Sequence, residues 1–121
     1  MTKKVLLIDD DDLVLRTIEK LLKNHDYVVS TAMEYSEALK AIATNDFDLI
    51  ISDIRIPGKN GTEIVSEIQN TLRQNEKKDL PIIFITGFAG EDLRLNASFL
   101  GETLYKPIDA EKLLMTIREY L

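Results

Sequence analysis

Lys4 to Asn24 reads KVLLIDDDDLVLRTIEKLLKN, and this stretch decides the fold class. Val5-Leu6-Leu7-Ile8 is a continuous apolar run of strand length, as expected for a strand covered on both faces. Four aspartates end the run. From Leu13 to Asn24 the apolar spacing becomes helical: Val14, Leu15, Ile18, Leu21 and Leu22 share one stripe, with Arg16, Glu19, Lys20 and Lys23 elsewhere. Asp11 or Asp12 is suited to cap the first turn of that helix. The stretch is a strand, an acidic turn and a helix.

The same unit recurs along the chain. Tyr27-Val28-Val29 reads as a short second strand, and Ser36 as the N-cap of a helix over Glu37–Asn45, whose alanines, Leu39 and Ile42 suit close packing on a sheet. Leu49-Ile50-Ile51 is the third strand, followed by a loop over Asp53–Gly61 in which Gly61 permits the turn into a helix. That helix runs from Thr62 to about Arg73 and buries Ile64, Val65, Ile68 and Leu72. A polar stretch leads to Pro81 and a fourth strand, Ile82–Ile85; a loop over Gly87–Gly90 and a weaker helix over Glu91–Leu100 follow. Thr103–Tyr105 is the fifth strand, and Asp109 caps a last helix with Leu113, Leu114, Ile117 and Leu121 as its buried stripe. Five βα units predict an α/β fold: a single-domain, doubly wound, five-stranded parallel sheet of the flavodoxin-like (βα)5 type.

Composition narrows the function. A chain of 121 residues, 45% hydrophobic and 30% charged, fits one globular domain. The absence of cysteine excludes disulfides, thiol chemistry and thiolate metal sites. A formal net charge of -6 argues against a general nucleic-acid or anionic-membrane binder. The longest apolar runs are strand-sized, and Met1-Thr2-Lys3-Lys4 leads directly into a strand without a signal peptide. The expectation is a cytoplasmic protein with no direct nucleic-acid or membrane contact.

Four of the five apolar runs end on residues of phosphate or metal chemistry: Asp9-Asp10, Asp53, Thr86 and Lys106-Pro107. Parallel strands gather their carboxyl ends at one sheet edge, where open α/β sheets bind ligands. Asp9, Asp10 and Asp53 are hard oxygen donors of the type Mg²⁺ prefers. Two unit charges about 4 Å apart interact by roughly 4 kcal/mol at an effective dielectric near 20. One ammonium, Lys106, does not balance three carboxylates, so the cluster implies a divalent cation. One carboxylate of such a site can act as a nucleophile toward phosphorus. The cation, Lys106, and Thr86 with a backbone N–H near Ile54–Arg55 would neutralise the transferred group.

The whole chain resembles the two-component response-regulator receiver domain, in particular single-domain, chemotaxis-type receivers. The matching residues are Ile8-Asp9-Asp10-Asp11, Ile51-Ser52-Asp53, Ile56-Pro57-Gly58 with Gly61, Ile85-Thr86-Gly87 and Tyr105-Lys106-Pro107. The resemblance implies one receiver domain over residues 1–121, with Asp53 as phosphoacceptor and Asp9 and Asp10 as acids of a Mg²⁺ (or Mn²⁺) site. Arg55 would lend its backbone carbonyl to the metal, Thr86 would sense the phosphate and Lys106 would partner it, with a cis bond before Pro107. It implies a sensor histidine kinase or histidine phosphotransfer protein as donor. It also implies no enzymatic turnover beyond the domain's own phosphorylation and dephosphorylation, and a phosphate-biased surface formed by the 91–100 helix, the fifth strand and the last helix.

Three features depart from the family pattern: Thr103 stands where an aromatic is usual, the Thr86–Lys106 segment is shorter, and the Arg73–Leu80 connection is longer. Tyr105 shares strand parity with Thr103, which leaves it as a substitute aromatic or as a residue packed on a sheet face. Phe88 is either a gate near the phosphate or a loop hydrophobe. The Arg55 side chain reads as solvated, and His25 as a helix-end residue. Two rival functions remain open. One is a haloacid-dehalogenase-like phosphatase with Asp9 as nucleophile, although the cap and later acidic pair of those enzymes are missing. The other is a phosphate-independent interaction module.

Overall fold

The computed structural model describes residues 2–56, 59–87 and 102–121; for 55–62 only the backbone is described. The predicted helix over Glu91–Leu100, Phe88 and the Pro57-Gly58 pair lie outside the described residues.

Five parallel strands form the central sheet: β1 (Lys4–Ile8), β2 (Val28–Ala32), β3 (Leu49–Asp53), β4 (Ile82–Thr86) and β5 (Glu102–Tyr105). Their spatial order is β2-β1-β3-β4-β5, so the chain reverses its winding direction between β1 and β3. The crevice outside the ends of these two strands is the topological switch point, where ligands bind in open sheets. A two-residue antiparallel ladder, Arg55–Ile56 with Lys59–Asn60, follows β3 in a stretch expected to be loop.

Alternation along each central strand divides the core into two layers. Leu6, Ile8 and Ile50 pack with α2 (Tyr35–Thr44) and α3 (Gly61–Gln74), whereas Val5, Leu7 and Ile51 pack with α1 (Asp12–Lys23) and the C-terminal helix (Ala110–Tyr120). Covered on both faces, β3 and β4 are buried along their whole length, which explains the apolar runs Leu49–Ile51 and Ile82–Ile85 within them. All four apolar residues predicted to face inward from α3 are buried. Leu113, Leu114 and Ile117 of the C-terminal helix are buried too, with Leu121 packed at the margin. Asp11 caps α1 and Asp109 caps the C-terminal helix.

Among the boundaries that differ from expectation are those of the second strand and the second helix. The second strand spans Val28–Ala32, starting one residue after the expected Tyr27 and ending three residues past Val29; at the sheet edge it is only partly covered, so Ser30 and Thr31 are tolerated. Ser36 is not the N-cap of α2. The helix starts at Tyr35 after an extended Glu34 that makes no side-chain cap, and the Ser36 hydroxyl donates to Glu34 Oε1 at 2.8 Å.

α1 and α3 end in the same way. Tyr27 N–H donates to Leu22 O at 3.1 Å and Asp26 N–H to Lys23 O at 3.2 Å. Lys77 N–H donates to Leu72 O at 2.8 Å and Glu76 N–H to Arg73 O at 3.1 Å. These are paired Schellman closures, with Asp26 (φ 67°) and Glu76 (φ 59°) in the left-handed position. His25 is exposed at the first of these helix ends, its Nδ1 3.0 Å from Leu21 O.

Candidate functional site

The ladders carry the chemical residues to the sheet edge. Asp9 N–H donates to Ala32 O at 3.1 Å, extending the β1–β2 pairing one residue past β1. Asp53 closes β3 in register with Ile85. Lys106 N–H donates to Thr86 O at 2.8 Å, extending the β4–β5 pairing to the lysine. The peptide bond between Lys106 and Pro107 is cis, as the resemblance implies. Backbone pairing therefore fixes where all four chemical segments lie.

Ligand oxygens of Asp9, Asp10 and Asp53 all lie within 4.8 Å of one another. Asp9 is fully buried, Asp53 nearly so, and Asp10 exposed. Lys106 Nζ donates to Asp53 Oδ2 at 3.1 Å and stands 3.1 Å from Asp9 Oδ2. Asp9 Oδ1 accepts from Asp11 N–H at 2.9 Å, whereas its buried Oδ2 has no well-aligned hydrogen-bond donor. Thr86 is buried at the end of β4, in register with Tyr105. Arg55 lies in the short ladder two residues past Asp53.

Electrostatics follow from this geometry. Burial pushes the Asp9 carboxyl up most strongly; the Asp11 N–H pulls it back, the Asp53 charge adds to the rise and Lys106 opposes it, leaving it at about 6. For Lys106, burial presses the ammonium pKa down, but its hydrogen bond and charge attraction to Asp53, and then to Asp9, outweigh that and raise it. The two shifts share the mutual interaction of Asp9, Asp53 and Lys106, on top of the burial that dominates at Asp9. A hard divalent cation fits this donor set and would engage Asp9 Oδ2, the oxygen that faces Lys106 without a well-aligned hydrogen bond.

The site predicted from sequence is thus gathered at one place, with Asp9, Asp10, Asp53 and Lys106 in direct proximity and Thr86 joined to Lys106 through the backbone. The Asp11–Asp9 contact is an Asx turn not expected from the sequence; its donor is a backbone N–H, so the identity of residue 11 carries no signal for it. Thr103 Oγ1 is buried without a hydrogen-bond partner among the described residues, and Tyr105 is half exposed on the edge strand.

A sequence model of the response regulator receiver domain matches residues 5–118, and the chain belongs to this family, the receiver domains of two-component signalling. The transcriptional regulatory protein CrdR of Helicobacter pylori is 30% identical over 122 residues, covering 99% of this chain and 55% of that protein. The polar-differentiation response regulator DivK of Brucella ovis is 28% identical over 123 residues, covering 100% of this chain and 98% of that protein. The chain therefore spans about half the length of CrdR and nearly all of DivK. The chemotaxis protein CheY4 of Vibrio cholerae superposes with a TM-score of 0.87 at 30% identity, covering 100% of both chains. Among the described residues, no helix is long and apolar enough to cross a membrane.

Proposed function

We propose that residues 1–121 form one receiver domain that accepts a phosphoryl group on Asp53 from the phosphohistidine of a sensor histidine kinase or phosphotransfer protein, in the cytoplasm where such donors are charged. The observation that carries this reading is Lys106 Nζ at 3.1 Å from both Asp53 and Asp9, within a cluster whose carboxylates outnumber its ammonium. In the transfer, an Asp53 carboxylate oxygen attacks phosphorus and forms the P–O bond. The P–N bond breaks with its electron pair leaving on imidazole. Lys106 keeps an ammonium beside the growing negative charge, and buried Thr86 offers a hydroxyl at the same edge.

Asp9, Asp10, Asp53 and the Arg55 carbonyl are the residues that would hold Mg²⁺ or Mn²⁺. When bound, the ion supplies charge neutralisation for the phosphoryl oxygens. Water later attacks phosphorus, releases phosphate and regenerates the carboxylate, so the chain turns over only its own phosphate. A phosphatase using Asp9 as nucleophile is less well supported, because Asp9 is fully buried with Oδ1 already bonded to Asp11 N–H. Retention of the phosphoryl group biases the surface around β5 and the C-terminal helix toward an output partner.

The test is incubation with a small-molecule phosphodonor and Mg²⁺, followed by intact-mass and peptide mapping. One phosphoryl adduct on Asp53, absent without Mg²⁺ and from Asp53→Ala, is expected. No adduct on the wild type, or an adduct that survives Asp53→Ala, refutes the reading.

A further inference from the structure

We infer that Asp11 is a positioning residue for the cation site and acts through its backbone rather than its charge; this rests on the reading of Asp9 as a cation ligand. Asp11 Oδ1 accepts from the N–H groups of Leu13 at 3.0 Å and Val14 at 3.3 Å, which caps α1. To do so the residue adopts an extended conformation, φ −91° and ψ 107°. In that conformation its own N–H points back to Asp9 Oδ1 at 2.9 Å.

The turn between β1 and α1 is therefore two interlocked Asx turns, Asp9 on residue 11 and Asp11 on residue 13. The first fixes which oxygen of the buried Asp9 is used up. Asp9 Oδ1 is satisfied by the backbone, and Oδ2 is left facing Lys106 Nζ and the other carboxylates. A carboxylate held by one defined donor keeps one rotamer, the role that outer-shell partners play for metal ligands. The exposed Asp11 carboxylate spends itself on the helix cap, so its contribution to the cation is the placement of a peptide N–H. Any residue that caps α1 equally well should serve.

The discriminating experiment is calorimetric titration of the full chain with MgCl₂ at about 0.15 M salt, which weakens surface electrostatics. Asp11→Ala removes the cap and is expected to weaken Mg²⁺ binding about tenfold, the low end for losing an outer-shell partner. Asp11→Asn and Asp11→Ser keep the cap without the charge and are expected within about threefold of wild type. Amide exchange at residue 11 should be slow in wild type and Asp11→Asn and fast in Asp11→Ala. Wild-type affinity in Asp11→Ala overturns the inference, as does an Asp11→Asn variant as weak as Asp11→Ala, which would assign the effect to charge. Both leave the metal reading standing. Absence of Mg²⁺ uptake by wild type overturns the inference and the metal reading together.

Discussion

Lys106 Nζ donates a 3.1 Å hydrogen bond to Asp53 Oδ2 across 53 residues of sequence. The same ammonium stands equally far from Asp9 Oδ2, so it occupies the space between two carboxylates that also belong to the candidate cation cluster. On the proposed function, lysine and cation would act together toward phosphate and compete for the carboxylates.

That competition has a sign. Lys106→Met removes a positive charge that contacts two carboxylates of the cluster, so Mg²⁺ affinity is expected to rise, by roughly threefold to tenfold, about 1 kcal/mol in free energy. Without cation the same variant leaves Asp9 and Asp53 facing each other without the ammonium between them. A loss of about 1–3 kcal/mol is expected, less than for a fully buried pair because the lysine keeps some solvent contact. Calorimetric Mg²⁺ titration and urea melts with and without MgCl₂ check both arms; weaker Mg²⁺ binding in the variant would show that the lysine orders the site rather than competing for it.

Asp9 sets a pH dependence. Its carboxyl is raised from an ordinary 3.8 to about 6 in the folded protein, so between these values the native state binds more protons than the unfolded chain. The slope of unfolding free energy with pH is then negative. This contribution is fully present below about pH 4 and is lost as pH rises through 6. In cation-free buffer, Asp9→Asn is expected to be more stable than wild type at pH 7.5, by on the order of 1–3 kcal/mol, with the difference shrinking toward pH 4.5. Mg²⁺ requires the ionised carboxylate, so its affinity for wild type should fall as pH drops below 6. Urea midpoints for the two proteins across this range decide it; a difference that does not change with pH would place the titration elsewhere.

The strand–turn–helix units and the ends of the strands were legible in the sequence because burial on both faces writes a continuous apolar run, and a polar interruption marks where the run leaves the sheet. Asp9, Asp53, Thr86 and Lys106 could therefore be assigned to one edge before any coordinates. What escaped was written by geometry rather than hydropathy. The edge strand β2 hides its last residues behind Ser30 and Thr31. α2 starts without a side-chain cap, so Ser36, the best capping residue nearby, pointed to the wrong place. The Asp11–Asp9 hydrogen bond depends on one residue's backbone conformation, and no spacing rule distinguishes it from simple helix capping.

The two Schellman ends offer a stability test independent of the site. Asp26 and Glu76 hold φ values of 67° and 59°, a region that costs most L-residues about 1–2 kcal/mol and glycine almost nothing. Part of the gain from glycine is offset by its freer unfolded chain. Glu76→Gly is expected to stabilise by about 0.5–1 kcal/mol, and Asp26→Gly by less, since aspartate tolerates this region better than glutamate. Thermal melts of the single variants and the double would show the two gains adding, because the sites close different helices. Destabilisation by either would mean that the side chain makes a contact worth more than the backbone strain.

Gln69 provides the last test, because both ends of its amide serve one residue. Nε2 donates to Leu80 O at 2.7 Å and Oε1 accepts from Leu80 N–H at 2.9 Å, so a buried side chain of α3 pairs with the backbone just before β4 as a neighbouring strand would. This clamp ends the lengthened connection between α3 and β4, and Leu80 itself packs against the α2–α3 layer. Gln69→Leu keeps the volume but leaves a partly buried N–H and C=O unpaired, which costs about 1–3 kcal/mol. Gln69→Glu preserves the acceptor for Leu80 N–H while setting a carboxylate oxygen against Leu80 O, so at pH 7.5 it is expected to be at least as damaging. Near pH 4 the protonated acid can donate again, and Gln69→Glu should recover part of the loss where Gln69→Leu does not. Equal urea midpoints for wild type and Gln69→Leu would show that solvent satisfies Leu80 as well as the amide does.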